Sequence, residues 1–250
     1  MTENSASIQT VPDWLPVGPP PPPGSAGVPQ PETFSDYLDY YEKQGLTLML
    51  LARSRPWMSI QTRKLAAKLP ISLLYYCFPF LSSYVRLRRN SEWLDRFNLG
   101  VRTGKQYNLV MIDFDNLESG KALVQECRLP PTLATRTGGG GYHLFYRIPD
   151  SCPFITSTHD CVAHGIDVRG EYAYCTVPPS EHGTGGQYEI VNPGCPIAVL
   201  PEVAVERFCG CGVSRYWHAR KQIRNFRILY LRMLRDYFRA VILRKPPVEA

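Results

Sequence analysis

The chain has 250 residues, 44% hydrophobic and 20% charged, which is enough apolar content for one domain with extensions and too much for disorder throughout. Its formal net charge of +6 sits in the tail: residues 213–250 carry ten Lys/Arg against two acids, and residues 1–212 carry eighteen against twenty. Eight cysteines at scattered spacings, behind a start (MTENSASIQT) with no basic-then-apolar pattern, argue for a reducing cytoplasmic setting and against a disulfide-bonded secreted protein.

Residues 1–31 hold nine prolines, including Pro19 to Pro23, so residues 1–32 are expected to be a disordered polyproline II tail, either a plain linker or a segment that docks in an aromatic groove of a partner. Apolar and aromatic residues at 34, 37, 38 and 41, followed by LTLMLL, predict a helix running into a strand. ARSRPW is then a basic turn closed by Pro56. Residues 59–97 read as mostly helical, with Trp93, Leu94 and Phe97 on one face. The apolar run Pro70 to Leu81 is too short and interrupted for a membrane span and reads as core, with an interfacial segment as the lesser alternative.

NLGVRTG (98–104) and LVMIDFD read as strands, Ser119 to Cys127 as a helix, and TRTGGGGYHLFYRIP as a glycine-rich turn opening into a strand from Tyr142 to Ile148. GIDVRGEYAYCTVPPS and HGTGGQYEIV add hairpin-like strands with few crossover helices. The fold class is therefore α+β, a mostly antiparallel sheet with flanking helices on one side, over residues 33–212. In residues 213–250 the apolar positions 223, 226, 230, 233, 234, 237 and 241 share one helical stripe, flanked by Arg220, Arg224, Arg227, Arg232, Arg235 and Arg239. This predicts a basic amphipathic helix, either docked with a solvated face or contacting DNA phosphates.

The chemistry concentrates in LVMIDFD. A strand sends alternate side chains to opposite faces, so Asp113 and Asp115 point the same way and need a cation, a proton or open water between them. Asp167, in GIDVRG, lies in a second short strand pattern. Carboxylates gathered on neighbouring strands bind hard cations such as magnesium or manganese through oxygen; an isolated DxD at an exposed strand end would do nothing of the kind. His143 follows Gly138 to Gly141, a turn whose N–H groups can approach a phosphate, with Arg136 and Thr137 as further donors. No GK[ST] follows, so this is not a Walker loop.

The order NLGVRTG, LVMIDFD, TGGGGYHLFY, GIDVRG, YCTVPPSEHGTGGQYE resembles the bifunctional DNA primase/polymerase N-terminal domain of the archaeo-eukaryotic primase superfamily, found in replication proteins of plasmids, phages and integrated elements. The resemblance covers roughly residues 34–200. It implies an RRM-like catalytic core, with Asp113, Asp115 and Asp167 as metal-binding catalytic acids for two divalent ions, Mg2+ or Mn2+. It implies further that His143 contacts the phosphates of an incoming nucleoside triphosphate, with Arg169, Ser180 and His182 near the nucleotide; Arg136 and Thr137 join them as the donors read from the turn itself. Arg55 with Pro56 resembles the family's basic-Pro pair. Gly139 departs from the pattern, standing where many members have serine.

Some relatives hold zinc in a loop near residues 149–165. Here Cys152, His159, Cys161 and His164 supply the donor types, in a spacing that fits no standard finger; ordinary side chains are the other reading. The expected activity is that of a template-dependent nucleotidyltransferase, a DNA primase or polymerase acting on a DNA template and primer. With no Walker motif in the chain, unwinding is expected from a separate helicase. Two alternatives stay open: a non-catalytic DNA-binding replication factor that keeps the fold, and a metal-dependent nuclease.

Overall fold

The computed structural model describes residues 11–18, 29–55, 58–68, 97–209, 231–232 and 235–236. Helix α1 (Phe34–Lys43) starts at Thr33, whose hydroxyl accepts from the Asp36 amide while the Asp36 carboxylate accepts from the Thr33 amide, a reciprocal cap that satisfies two otherwise orphaned donors. Strand β1 (Leu48–Leu51) and helix α2 (Ile60–Ala66) follow. Next come β2 (Asn98–Arg102), β3 (Val110–Phe114), α3 (Leu117–Glu126), β4 (Ala134–Arg136) and β5 (Tyr142–Tyr146). The chain continues through β6 (Thr158–Ala163), β7 (Ile166–Arg169), β8 (Tyr174–Val177), β9 (Glu189–Ile190) and α4 (Glu202–Cys209).

The strands form two sheets, a three-stranded one in the order β1-β2-β8 and a six-stranded one in the order β6-β7-β3-β5-β4-β9. Every pairing between named strands is antiparallel. The α+β, mostly antiparallel expectation holds, but the strands are shared between two sheets.

Strand β3 shows why the split matters. Val110, Ile112 and Phe114 join Leu123 of α3 and Phe208 of α4 in one core. Met111, on the opposite face, joins Leu99 and Val101 of β2, Val177 of β8 and Tyr41 of α1 in a second core between the sheets. A strand covered on both faces reads as a continuous apolar run. Burying each large side chain such as Phe114 contributes ~1.5–3 kcal/mol.

Several elements depart from expectation. Strands β4 and β6 carry no clear periodic signal; β6 buries Thr158 and Val162, exposes His159, Asp160 and Cys161, and has an irregular register between Thr158 and Ala163, so its pairing with β7 and not its own sequence makes it a strand. Helix α4 is not among the expected elements, although Ala204, Val205 and Phe208 share one helical face. Residues 11–18, within the stretch expected to be an unfolded tail, lie on the domain. Leu15 is buried, Trp14 meets Phe114 edge-on at 6.3 Å, and the Asn192 amide donates to the Val17 carbonyl at 2.8 Å. The apolar Trp14, Leu15 and Val17 among the prolines explain that docking.

Residues 69–96, with Trp93 and Leu94 of the expected helical face, lie outside the described residues; Phe97 packs on the core between the sheets. In the basic segment Arg220, Arg224, Arg227 and Arg239 also lie outside them, whereas residues 231, 232, 235 and 236 are helical. Asp236 is buried there, accepts the Ser59 amide at 3.0 Å and pairs with Arg235 at 2.7 Å. Among the described residues no helix is long and apolar enough to cross a membrane.

Candidate active site

Asp113 of β3 pairs with His143 of β5 on one side and with Asp167 of β7 on the other; His143 pairs onward with Thr135 of β4. Residues directly opposed in an antiparallel ladder have Cα atoms about 4.5–5.5 Å apart and side chains on the same face. Thr135, His143, Asp113 and Asp167 therefore form one transverse row, and all four are buried. His143 Nε2 stands 3.4 Å from Asp113 Oδ1, at ion-pair range but outside good hydrogen-bond geometry. Among the described residues Asp113 Oδ1, His143 Nδ1 and Thr135 Oγ1 are buried with no hydrogen-bond partner. Each such atom costs ~1–3 kcal/mol, a cost that a ligand-binding site explains.

Asp115 follows Asp113 by two residues, exposed at the end of β3. The strand stops there because the next side chain, Asn116, accepts the Glu118 and Ser119 amides and caps α3.

The two acids are driven apart electrostatically. Burial, the largest influence on Asp113, pushes its carboxyl up, but His143, Arg169 and Lys68 together outweigh it and leave it below the ordinary aspartate value. Asp115 is pushed up by burial and then by the neighbouring Asp113 anion. Asp167 is engaged through both oxygens: Oδ1 accepts from His159 Nδ1 at 2.5 Å and from the Asp160 amide at 3.2 Å, and Oδ2 accepts from Arg169 at 2.7 Å.

Beside the row, a cleft of about 120 Å³ opens between the sheets. Met111, Asp113, His143 and Arg169 line it from the larger sheet, Tyr174, Cys175 and Thr176 from β8, and Lys68 and Tyr188 complete it. Burial raises the Cys175 thiol and the Tyr188 hydroxyl, both reinforced by Asp113, and pushes the Tyr174 hydroxyl up to about 12. These groups stay neutral near pH 7, so a Lys and an Arg beside the row give the cleft its capacity for an anion.

The glycine-rich turn borders this cleft through His143. The Thr137 amide donates to the Gly141 carbonyl at 2.8 Å and the Gly141 amide to Thr137 Oγ1 at 3.0 Å, with Gly140 at a φ of 96°. The turn's own hydrogen bonds use the amides of Thr137, Gly140 and Gly141, not those of Gly138 and Gly139. A Cβ on Gly138 would lie 2.4 Å from the Gly186 carbonyl oxygen and 2.5 Å from His182 Cβ, so the turn is pressed on the loop that carries His182. That ring holds Thr184 Oγ1 at 2.7 Å, and burial, then Lys68 and Lys64, lower its pKa, keeping it neutral at pH 7.

The fold thus brings Asp113, Asp115, Asp167, His143 and Arg169 together, with Thr137 and His182 alongside. It does not bring Arg136, which shares its ladder row with Tyr142 and Phe114 on the other face and pairs with Glu189 at 2.7 Å. Ser180 is spent on the backbone, accepting from the Leu99 amide at 2.8 Å and donating to its carbonyl at 3.0 Å. Arg55 is exposed, and its carbonyl accepts the Met58 amide at 3.0 Å.

The candidate zinc donors are not gathered either. Cys152 is buried with Sγ 3.4 Å from the Phe154 carbonyl, Cys161 is exposed, His164 faces Asp160 at 3.6 Å, and His159 is on Asp167. Among the described residues no group of three or more His, Cys, Asp or Glu is arranged to hold a metal ion. For the acids, this accords with Asp167 being turned onto donors. The pair Asp113 and Asp115 does fit a hard cation: the donors are oxygen only, on one face, and one buried oxygen lacks a partner. Lys68, Thr135, Thr176 and Tyr188 carry no recognisable sequence signal; only the pairing of β4, β8 and β9 with their neighbours and the position of α2 bring them in.

No curated protein matches this chain. The family model described as bifunctional DNA primase/polymerase, N-terminal, matches residues 57–203, more than half of the chain. That span contains the acid row, the histidine and the glycine-rich turn, and the chain belongs to the bifunctional DNA primase/polymerase N-terminal family.

Proposed function

We propose that this chain is a template-dependent nucleotidyltransferase, a DNA primase, DNA polymerase or both, in the replication of a plasmid, phage or integrated element, with a separate helicase unwinding the template. The observation that carries the reading is the ladder row of Asp167, Asp113 and His143 beside a cleft lined by Lys68 and Arg169, in a chain of this family.

Asp113 and Asp115 would hold a divalent cation, Mg2+ or Mn2+, with Asp167 as the third acid for a second one. Such ions lower the pKa of a primer 3′-hydroxyl and neutralise charge on the phosphates. Lys68 and Arg169 bind the triphosphate as cations and His143 as a hydrogen-bond donor around the cleft. The amides of Gly138 and Gly139 supply further donors at the turn. Asp113, ionised by its cationic neighbours, keeps its oxygens free of protons at neutral pH. The phenolic rings of Tyr174 and Tyr188, with Cys175, wall the cleft without adding charge.

The test is incorporation of labelled nucleotides on a single-stranded DNA template, with and without primer, ribonucleotides and deoxyribonucleotides supplied separately, and with Mg2+ or Mn2+ added. Metal-dependent extension that is lost in Asp113→Asn/Asp115→Asn supports the reading. Extension by that double variant at the native rate, or cleavage of DNA with no nucleotide present and no synthesis, would overturn it.

A further inference from the structure

Asp167 is held more firmly than its neighbours in the row. Its Oδ1 accepts from both His159 Nδ1 and the Asp160 amide, which uses the lone pairs that one carboxylate oxygen offers. Among the described residues its Oδ2 accepts from Arg169 alone, so the remaining lone pair of the group is there. His159 belongs to edge strand β6, and its side chain is 63% exposed while that of Asp167 is 8% exposed. The ring is therefore held by this contact more than by packing. The register of β6 against β7 is irregular between Thr158 and Ala163, and Asp160 takes a φ of 56°. Both features mark a local distortion at the two residues that donate to Asp167.

We propose that His159 is a positioning residue for Asp167. Its Nδ1–H pins Oδ1 and stops the carboxyl group from turning about Cβ–Cγ, so that Oδ2, which also carries the Arg169 contact, is the oxygen with a lone pair left for a bound cation. The proposal rests on the reading of the acid row as a cation site. Without the imidazole, Asp167 keeps the single Asp160 amide on Oδ1 and can rotate. Removing a partner that orients a metal-ligating group typically costs ~10–100-fold in metal affinity or activity.

The test is a Mn2+ titration of the full chain, followed by the electron paramagnetic resonance of free Mn2+, for the native protein and for Asp113→Asn, Asp167→Asn, His159→Ala and His159→Asn. Asp167→Asn measures how much affinity depends on the third acid. His159→Ala is expected to lose a comparable share, ~10-fold or more. His159→Asn, whose amide N–H can replace Nδ1–H, is expected to recover most of it, and the exposed ring predicts thermal melts close to native for both. Native Mn2+ affinity in His159→Ala alongside a weakened Asp167→Asn, or no recovery in His159→Asn, overturns the positioning role while leaving the cation site standing. Native affinity in both Asp113→Asn and Asp167→Asn would instead overturn the cation site and the inference together.

Discussion

His143 and Asp113 are opposed partners on adjacent strands, and the imidazole Nε2 lies 3.4 Å from the carboxylate Oδ1. Both side chains are buried, and each carries an atom with no hydrogen-bond partner among the described residues. The contact helps hold Asp113 ionised against burial, and it couples the acid row to the cleft beside it.

Removal of the acids separates chemistry from folding. Asp113→Asn and Asp115→Asn are expected to lower nucleotide incorporation by at least ~10³-fold, since several kcal/mol of charge stabilisation depends on a bound cation. Because Asn keeps the side-chain volume, circular dichroism should be unchanged. Near-native incorporation by either variant would contradict the assignment.

Contacts to the substrate tail should divide differently between the kinetic constants. His143→Ala and Lys68→Ala each remove a charged or polar contact worth ~1.5–3 kcal/mol, so KM for the nucleotide is expected to rise ~10–100-fold with a smaller change in kcat. Steady-state kinetics on a primed template checks this. A change confined to kcat would show that these groups do not simply hold the triphosphate.

Gly138 tests the close approach of the glycine turn to residues 182–186. A methyl group there meets the Gly186 carbonyl oxygen at 2.4 Å, a backbone atom that cannot swing away. Gly138→Ala should cost ~1–3 kcal/mol as overpacking, read as a Tm lower by several degrees, and should weaken nucleotide binding. Gly185→Ala, with nothing within 4 Å of its added Cβ but a φ of 100°, would show backbone strain without that clash. Equal behaviour of the two variants in nucleotide binding would remove the role given to the turn.

Asp236 predicts a pH-dependent anchor for the carboxy-terminal segment. Burial raises its carboxyl, but hydrogen bonds from Thr62, the Ser59 amide and Arg235 outweigh it and hold it below the ordinary value. A folded-state pKa lowered in this way contributes stability that is present above the unfolded pKa, near ~3.9, and is lost as pH falls through the folded value. Asp236→Asn should therefore lower Tm by a few degrees at pH 7, and the difference from native should shrink as melts are taken from pH 5 downward. A difference independent of pH would mean that the charge is not what matters.

Much of the candidate site is readable from one sequence because its signals are local. Alternation along LVMIDFD put Asp113 and Asp115 on one face, the glycines marked the turn before His143, and hairpin-like strands with few crossovers gave the α+β class. These follow from strand periodicity and turn chemistry, which act over a few residues. Which strands are neighbours, and in what register, is set by contacts far apart in the chain. Only that pairing placed Asp167 against Asp113, turned Arg136 to the opposite face, spent Ser180 on the Leu99 backbone and made the Cys/His segment an edge strand with His159 on an acid. Lys68 enters for the same reason: the cleft forms between two sheets, and no stretch of sequence by itself encodes the space between them.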